Sequence, residues 1–445
     1  MTAITDYMPR AEYSPAVSTA PEAKPWPAAA RFAFRFFVVY FVWYVLTTQM
    51  LGSFLLIPKL HVPDFGRIPP MQQLVMWTGH TVLGVNPTLA RTGSGDSLFD
   101  WTQAFMMVAV SMIVAIAWSL RSSTKRHDRL LKWFSFFLRY ALATTMFSYG
   151  FAKVFPLQMP TIFLSRLLEP YGNFSPMGVI WYSIGAAPAY ERFIGSAEVL
   201  GAVLLLLSQT ALLGSLVTFG VTFGVWMVNM TYDVPVKLFA FHLVVMSAVL
   251  FAPEVPRLLD MFVFHRAVEA RPVPRYGSTR RAQRGWLIAQ ALFTVWALGV
   301  QIYGGERSWK TFGGGAPKSV FYGVWDVDSM TVDGTVRPPL TTDPTRYSHA
   351  VFQTPTGAIF QFMNQTFDRF SATIDTSART VSLKSFTDSM HRAAMTYSRP
   401  APNRLVFDGE MGGKKVQIAM TQHDLNTFVL IGRGFHWVQE FPVNR

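Results

Sequence analysis

The sequence predicts a polytopic α-helical membrane protein of about seven transmembrane helices, followed by an extracytoplasmic all-β domain. Of its 445 residues, 51% are hydrophobic and only 15% are charged, which is typical of a membrane protein. Apolar runs near the ~20 residues that a bilayer requires recur as far as Tyr303. Beyond that residue the pattern changes to short alternating segments, which indicate strands.

The composition also excludes several classes of function. The formal charge is +13, but the Arg and Lys residues cluster beside apolar runs, as topology signals do, so nucleic acid is not expected as a partner. The absence of cysteine excludes disulfides, thiol catalysis and thiolate metal sites. No nucleotide-binding or hydrolase motif occurs, and the histidines lack metal-ligand spacing. The sequence therefore predicts no metal site and shows no evident cofactor, and the catalytic residues stay unknown.

The chain is predicted to begin with a disordered cytoplasmic tail at 1–30, which is rich in Ala, Pro and Ser. A transmembrane domain follows at 31–303, with a short interfacial helix around 71–83 between its first two spans. The predicted spans are 36–57, 98–120, 131–155, 190–207, 212–230, 236–252 and 286–303.

Two basic loops predict the orientation of these spans. They lie at 121–129 and 257–284, and basic loops usually face the cytoplasm. Alternation then places the N-terminus inside and everything after Tyr303 outside. The predicted location is the bacterial inner (cytoplasmic) membrane, with the lipid bilayer as the first partner.

The C-terminal part is predicted as a linker at 304–319 and a β-domain at 320–445. Eight or more short strands, the last at 427–431, are joined by turn-forming residues, so an antiparallel barrel or sandwich is expected. The Gly323-x-Trp325 motif and Arg433 resemble the first-strand Trp and last-strand Arg of lipocalin-like barrels.

Two cations interrupt the apolar run at 136–156. Arg139 and Lys153 each cost ~2.5 to 3.5 kcal/mol in a transmembrane helix, so such residues usually face a protein interior or a partner. The two residues are fourteen positions apart, so on a helix their side chains lie on nearly the same face, ~21 Å from each other along the axis. Because Lys153 lies near the end of the run, snorkelling to the headgroups is the alternative for that residue.

Glu198 is the predicted partner of Arg139. Counted along antiparallel spans, the two residues lie ~12 Å deep from opposite faces, so their levels nearly coincide. An ion pair in low dielectric is a poor stabiliser, and structural pairing and a functional polar pocket both remain open.

Further ionisable residues stand near the turn between the fifth and sixth predicted spans. Asp233 and Lys237 are four residues apart, and His242 falls near the depth of Glu198. A lone histidine on an apolar helix is more often a hydrogen-bonded core residue than a proton carrier, and both readings stay open. The long loop at 156–188 is expected to act as a lid, a substrate entrance or a docking surface. The candidate polar pocket comprises Arg139, Lys153, Glu198, Asp233, Lys237 and His242.

Residues 131–252 contain Arg139 and the motifs Gly150-x-x-Lys153 and Gly195-x-x-Glu198-x-x-Gly201. In these residues this part of the chain resembles the DoxX family of four-helix membrane proteins. The resemblance implies a four-helix core, a link to membrane oxidoreduction, and a shared polar pocket lined by Arg139, Lys153 and Glu198.

The function that this resemblance implies is a quinone-associated or redox-complex subunit, with quinone as the candidate cofactor. Whether the chain is itself an enzyme stays open. One alternative is a non-catalytic assembly or scaffold subunit of a larger membrane complex. Another is a lipophile-binding or transport protein that uses the β-domain as a receiving cup.

Overall fold

The computed structural model describes residues 25–55, 62–89, 92–270, 273–388 and 391–444. Residues 1–24 of the predicted tail lie outside this range, and the first helix begins at Ala28. The described chain folds as a helical part followed by a C-terminal antiparallel β-barrel. Its helices are α1 Ala28–Thr47, α2 Met50–Leu55, α3 Met71–Thr78, α4 Leu98–Arg121, α5 Asp128–Val154, α6 Pro176–Gly185, α7 Pro188–Leu206, α8 Ala211–Thr231, α9 Lys237–Phe251, α10 Val255–Phe262, α11 Arg280–Phe312 and α12 Val429–Gly432.

The predicted spans from 98 to 252 agree closely with α4, α5, α7, α8 and α9, whereas the first span differs. The structure has a break at Thr48, which is extended, between α1 and α2. The hydroxyls of Thr47 and Thr48 donate to the carbonyls of Trp43 and Tyr44, and such side-chain bonds compete with helix continuation. The end of that predicted span, at Ile57, lies outside the described residues.

Among the described residues, five helical segments are long and apolar enough to cross a membrane. These apolar helices indicate membrane association; the count of seven spans stays a prediction. Helices α5 and α7 do not reach the same apolarity because they carry buried charged residues, among them Arg139, Lys153 and Glu198. The five segments are Ala28–Thr47, Leu98–Arg121, Ala211–Thr231, Lys237–Phe262 and Arg280–Phe312.

Helices α5, α7, α8 and α9 pack in sequence, while α1 packs against α4. Glycines allow the closest of these approaches. A Cβ atom on Gly195 would lie 2.6 Å from the Gly150 carbonyl oxygen, and one on Gly214 would lie 2.5 Å from the Leu205 nitrogen. Small residues at a helix interface let two backbones come together in this way.

Helix α11 continues to Phe312, so its last turns occupy the first part of the predicted linker at 304–319. Gly305 does not end the helix: a Cβ there would lie 2.4 Å from the Phe155 ring, so this glycine allows α11 to pass close to that ring. Glu306 and Lys310 pair four residues apart on the same helix. The connection to the barrel therefore begins at Gly313.

The β-domain is a closed meander. Consecutive strands pair antiparallel, except that β3 pairs with β1 and not with the short β2, which pairs with β1 as well. Strand β9 also pairs with β1, and this pairing closes eight strands into a barrel. The prediction of a barrel or sandwich is thus resolved as a barrel. The strands are β1 Gly323–Val332, β2 Thr335–Arg337, β3 Tyr347–Phe352, β4 Gly357–Phe362, β5 Phe367–Asp375, β6 Thr380–Ser385, β7 Arg392–Ala401, β8 Arg404–Met411 and β9 Lys414–Gln422.

Side chains fill the barrel interior. Trp325, Phe352 and Phe407 are fully buried in one continuous apolar cluster contributed by strands all round the barrel. Small barrels are commonly filled by side chains in this way, and the receiving cup of the lipophile-transport alternative stays a prediction.

The prediction of a last strand at 427–431 is wrong, because this stretch contains the short helix α12. Arg433 follows that helix and is exposed, so it does not occupy a last-strand position. The cation beside the Trp325 ring is that of Arg399 instead, whose guanidinium lies 5.8 Å from the ring centroid.

The loop between α5 and α6 connects the helical part to the barrel. The Leu164 amide donates to the Gln353 side chain at 2.8 Å, and the Leu164 side chain is buried against Val324 and Val351. The loop that was expected to act as a lid, an entrance or a docking surface is thus in contact with the outside of the barrel.

Candidate functional site

Lys153 and Glu198 form a buried ion pair between α5 and α7. The Lys153 Nζ atom lies 2.7 and 2.9 Å from the two carboxylate oxygens, and both side chains are almost fully buried. Gly150 and Gly195, each three residues earlier on its helix, let the backbones approach closely enough for this pair. Lys153 therefore faces the protein interior, and the snorkelling alternative does not hold.

Arg139 does not pair with Glu198, contrary to the prediction. Its guanidinium donates to the carbonyls of Leu205 and Leu206, at 2.7 and 3.0 Å, at the C-terminal end of α7. Because α5 and α7 are antiparallel, Arg139 lies beside the end of α7, while Lys153 lies beside Glu198. The last carbonyls of a helix lack intrahelical partners and carry partial negative charge, so a cation is favourable there.

Asp233 and Lys237 pair at the turn between α8 and α9, with Asp233 exposed to solvent. The carboxylate of Asp96 accepts hydrogen bonds from the Lys237 and Leu238 amides, at 2.8 Å each, and thereby caps the start of α9. Lys237 Nζ also lies 3.8 Å from Asp96. These charges fix the loop that precedes α4 onto α9.

His242 is a hydrogen-bonded core residue. Its Nδ1 atom lies 2.7 Å from the Leu238 carbonyl oxygen, which can only accept, so Nδ1 carries the proton. The Nε2 atom then accepts from the Tyr40 hydroxyl at 2.6 Å. Both ring nitrogens are thus satisfied in the neutral imidazole. The ring also stacks on Tyr44, with centroids 4.0 Å apart.

The six predicted residues therefore occupy separate places rather than one pocket. A cavity of the helical part, of about 740 Å³, lies near them and is lined by other residues. It opens between the end of α1, the start of α4 and the loops on either side of α3. Its polar lining residues include Gln49, Arg67, Asp100, Gln103 and Tyr149.

Two tyrosines connect this cavity to the predicted residues. Tyr44 and Tyr149 both line it. Tyr44 stacks on His242, and the Tyr149 ring centroid lies 5.8 Å from the Lys153 ammonium. The buried ion pair and the Tyr40–His242 pair thus both lie directly behind the cavity wall.

The charged residues that line the cavity are Asp64, Arg67 and Asp100, and Arg67 contacts both carboxylates, so the other polar groups of the lining are neutral. Arg67 is 2.5 Å from Asp100, which also forms a capping box with Ser97 at the start of α4. The amide nitrogens of Gln103 and Gln49 make long contacts of 3.4 Å, to Thr47 and to the Tyr149 hydroxyl. These weak bonds leave amide and phenol groups that can bind a neutral polar head.

The sequence-based prediction missed several of these residues. Asp96, Arg67, Gln103 and Tyr149 stand in loops or in ordinary positions of apolar helices, and only the Ser97-x-x-Asp100 capping box offers a local signal. Glu191, seven residues before Glu198 on the same face of α7, was missed too. It is fully buried, and its Oε1 atom accepts from the Met159 amide at 2.9 Å.

On the barrel, Asp326 brings together His349 and His423, two of the histidines that lack metal-ligand spacing in the sequence. Its carboxylate lies 3.3 Å from His349 Nε2 and 2.9 Å from His423 Nδ1. Burial lowers the pKa of His349, and the nearby Asp326 partly opposes that shift. Among the described residues, no group of three or more acidic or histidine side chains has the arrangement of a metal site.

No protein-family model matches this chain, and no solved structure matches it. A curated relative is the uncharacterized protein YwoB of Bacillus subtilis (strain 168), which is 30% identical over 133 residues. The matched region covers 28% of this chain and 79% of the relative. By that identity and coverage, the chain belongs to the same family as the uncharacterized protein YwoB.

Proposed function

We propose that this protein is a quinone-associated or redox-complex subunit of the bacterial cytoplasmic membrane, and that its 740 Å³ cavity holds the polar head of a quinone. The observation that carries the proposal is the position of Tyr44 and Tyr149, which line the cavity and contact His242 and Lys153. The resemblance to the DoxX family supports the same ligand class.

The cavity suits this ligand in size and chemistry. Small-molecule sites commonly have volumes of ~300 to 1,000 Å³ and combine apolar walls with a few polar groups. Met107, Leu238 and Phe239 supply apolar wall here. The two carbonyl oxygens of a quinone are acceptors, and Gln103 and Tyr149 supply neutral donors.

The buried pair gives the site a charged neighbour. The Lys153 ammonium lies beside the Tyr149 ring and is paired with Glu198. A change in the charge or protonation of the ligand would therefore alter the electrostatic potential at this buried pair. We infer that Glu198 and Lys153 adjust the electrostatics of the cavity, while the cavity residues themselves contact the ligand.

The orientation of the chain belongs to the same proposal. The Lys132 ammonium, in the first turns of α5 just after one basic loop, contacts the carbonyl of Arg275 in the other, and the barrel contacts the opposite end of the helical part through Leu164. Basic loops favour the cytoplasm, which would put the barrel outside.

Because the chain has no cysteine, single cysteines can test this orientation. A membrane-impermeant maleimide should label Ser377→Cys in intact spheroplasts and Ser123→Cys only after lysis. The reverse pattern would exclude the proposed topology.

The ligand is tested by purifying the full chain in mild detergent and measuring co-extracted quinone by mass spectrometry. Gln103→Leu and Tyr149→Phe each remove one donor, worth about 1 kcal/mol, and should lower retained quinone about fivefold. Tyr303→Phe removes an exposed hydroxyl on α11 and serves as the matched control.

Glu198→Gln tests the coupling, since membrane electron transfer should fall in this variant. If the native chain carries no more quinone than an unrelated membrane protein, and electron transfer is unchanged in Glu198→Gln, the proposal is wrong.

A second candidate function is the assembly or scaffold subunit, favoured by the C-terminal segment at 433–444. Phe435, Trp437 and Phe441 are 76%, 91% and 82% exposed. Exposed aromatic side chains of this kind anchor protein interfaces. A membrane partner protein would therefore bury them in a groove of its own.

Copurification separates this candidate from the first. A stoichiometric partner should be lost from the double variant Phe435→Ser/Trp437→Ser and kept by Phe386→Ser, which removes another exposed phenylalanine of the β-domain. A chain that purifies alone, or a partner that survives the double change, argues against a scaffold role.

A further inference from the structure

A second cavity lies at the opposite end of the helical part from the barrel. Its volume is about 520 Å³, and it opens between the α7–α8 turn and the first turns of α11. The turn contributes Ser208 and Gln209, and the segment before α11 contributes Arg275 and Tyr276. None of the residues invoked for quinone binding lines this cavity.

The lining is strongly basic. Arg275, Arg280 and Arg284 all line it, and the described lining contains no Asp or Glu. Arg139 lies behind the same turn, where it is held by the α7 carbonyls and forms no ion pair with any described residue. The cavity is therefore an uncompensated positive site, and an anion is the ligand that it favours.

Buried donors mark the inner wall of the cavity. Gln290 is only 3% exposed, and its Nε2 atom has no hydrogen-bond partner among the described residues. The Ser208 hydroxyl, which also belongs to the lining, likewise has no hydrogen-bond partner among the described residues. Burying a polar group without a partner destabilises the fold, so such a group indicates a missing partner. Because the Gln290 amide nitrogen can only donate and the Ser208 hydroxyl can donate as well, an acceptor would satisfy both groups.

The surroundings resemble a membrane interface. Tyr276 lies within 5.5 Å of Trp133 and 5.9 Å of Trp286, measured between ring centroids, and aromatic side chains of this kind concentrate at headgroup level. The lining also includes Leu287, whose side chain is 49% exposed. An apolar chain attached to the anion would find apolar surface immediately beside the arginines.

We propose that this cavity binds a phosphate group through Arg275, Arg280, Arg284, Ser208 and Gln290. Arginine forks match phosphate oxygens, and the buried amide and hydroxyl supply the neutral donors. The phosphate belongs either to the headgroup of an anionic membrane phospholipid or to free phosphate, and the two sources have the same recognition chemistry. The site is independent of the proposed quinone cavity.

The test uses the full chain in mild detergent. Native mass spectrometry measures retention of phosphatidylglycerol against phosphatidylcholine, and a thermal shift measures stabilisation by inorganic phosphate without lipid. Arg280→Gln and Arg284→Gln should each weaken binding about fivefold, the effect of ~1 kcal/mol per arginine. Arg281→Gln removes the neighbouring exposed arginine, which does not line the cavity, and should bind as the native chain does.

The outcomes distinguish a lipid headgroup from free phosphate as the ligand, or exclude a phosphate site in this cavity. Selective retention of phosphatidylglycerol, without a phosphate shift, identifies a lipid headgroup. A phosphate shift with equal retention of both lipids identifies free phosphate. Neither effect, or an equal loss in Arg281→Gln, overturns the proposal.

A second variant separates binding from folding. Gln290→Leu replaces the buried amide by an apolar side chain, so the ligand-free protein should melt at an equal or higher temperature while binding falls. A lower melting temperature with unchanged binding would contradict the role given to Gln290.

Discussion

The Lys153 ammonium lies within 2.9 Å of both carboxylate oxygens of Glu198, and both side chains are buried between α5 and α7. Removing either partner leaves a buried charge uncompensated, which typically costs about 3 to 5 kcal/mol. We therefore expect Lys153→Met to lower the unfolding temperature in detergent strongly. The double variant Lys153→Met/Glu198→Leu should recover most of the loss.

The exposed pair Glu306–Lys310 on α11 is the matched control, because such pairs contribute only about 0.3 to 0.5 kcal/mol. Lys310→Met should leave the unfolding temperature nearly unchanged. Equal destabilisation by Lys153→Met and Lys310→Met would show that burial of the first pair has no energetic consequence.

Gly195→Ala should separate α5 from α7. The added methyl group would lie 2.6 Å from the Gly150 carbonyl oxygen, where only backbone movement can make room, and overpacking of this kind costs about 1 to 3 kcal/mol. The measurement is thermal unfolding in detergent. Gly220→Ala on α8 is the control: nothing lies within 4 Å of its new methyl group, so it should be neutral or stabilising through helix propensity. A neutral Gly195→Ala would contradict the close approach.

The stability of the barrel should depend on pH through His349. Burial, the largest effect, lowers its pKa; His423 acts in the same direction, while Asp326 and Gln361 oppose it. The unfolded chain therefore binds a proton more readily than the folded one. The stability that His349 contributes is present above pH ~6.5 and is lost as pH falls through its lowered pKa.

This dependence can be measured by thermal unfolding of the full chain, followed by tryptophan fluorescence across mildly acidic to neutral pH. His349→Gln should flatten the curve on the acidic side. His436→Gln removes an exposed histidine near the C-terminus and should leave it as in the native chain. An unaltered slope in His349→Gln would rule out this residue as the cause.

Leu164→Ala should loosen the barrel from the helical part. The leucine is buried against Val324 and Val351, and truncating a buried leucine usually costs ~2 to 5 kcal/mol. We expect faster proteolysis near Gly313, where α11 ends, with little change in the barrel core. Tyr171→Ala, at a 71% exposed position of the same loop, is the control. Equal cleavage of both variants would argue against this contact.

Several features of this protein could be predicted from local sequence. The apolar runs that became α4, α8 and α9 have helical length, and the alternating segments with Gly-rich turns became the strands of a meander. These features depend on residues that are near one another in the chain. The stretch at 427–431 misled the prediction because a short apolar run does not distinguish a strand from a helix.

The partners of the buried charges could not be predicted in this way. The boundaries of predicted spans are uncertain by a few residues. An error of one residue shifts the expected position of a side chain by ~1.5 Å along the helix and ~100° around it. Depth alone therefore predicts that Arg139 pairs with Glu198, whereas Arg139 binds the carbonyls of Leu205 and Leu206. The Gly150 and Gly195 contact, which sets the register of α5 on α7, selects Lys153.

By itself the sequence determined the division into a helical and a β part, the positions of most helices and strands, and the burial of Arg139, Lys153 and Glu198, because hydrophobic length and periodicity are properties of the chain. Only the tertiary structure decided which of those residues meet. It also formed both cavities from distant segments, since Tyr44, Gln103 and Tyr149 share a wall only after α1, α4 and α5 have packed. Contacts between distant residues depend on packing geometry, which no local pattern encodes.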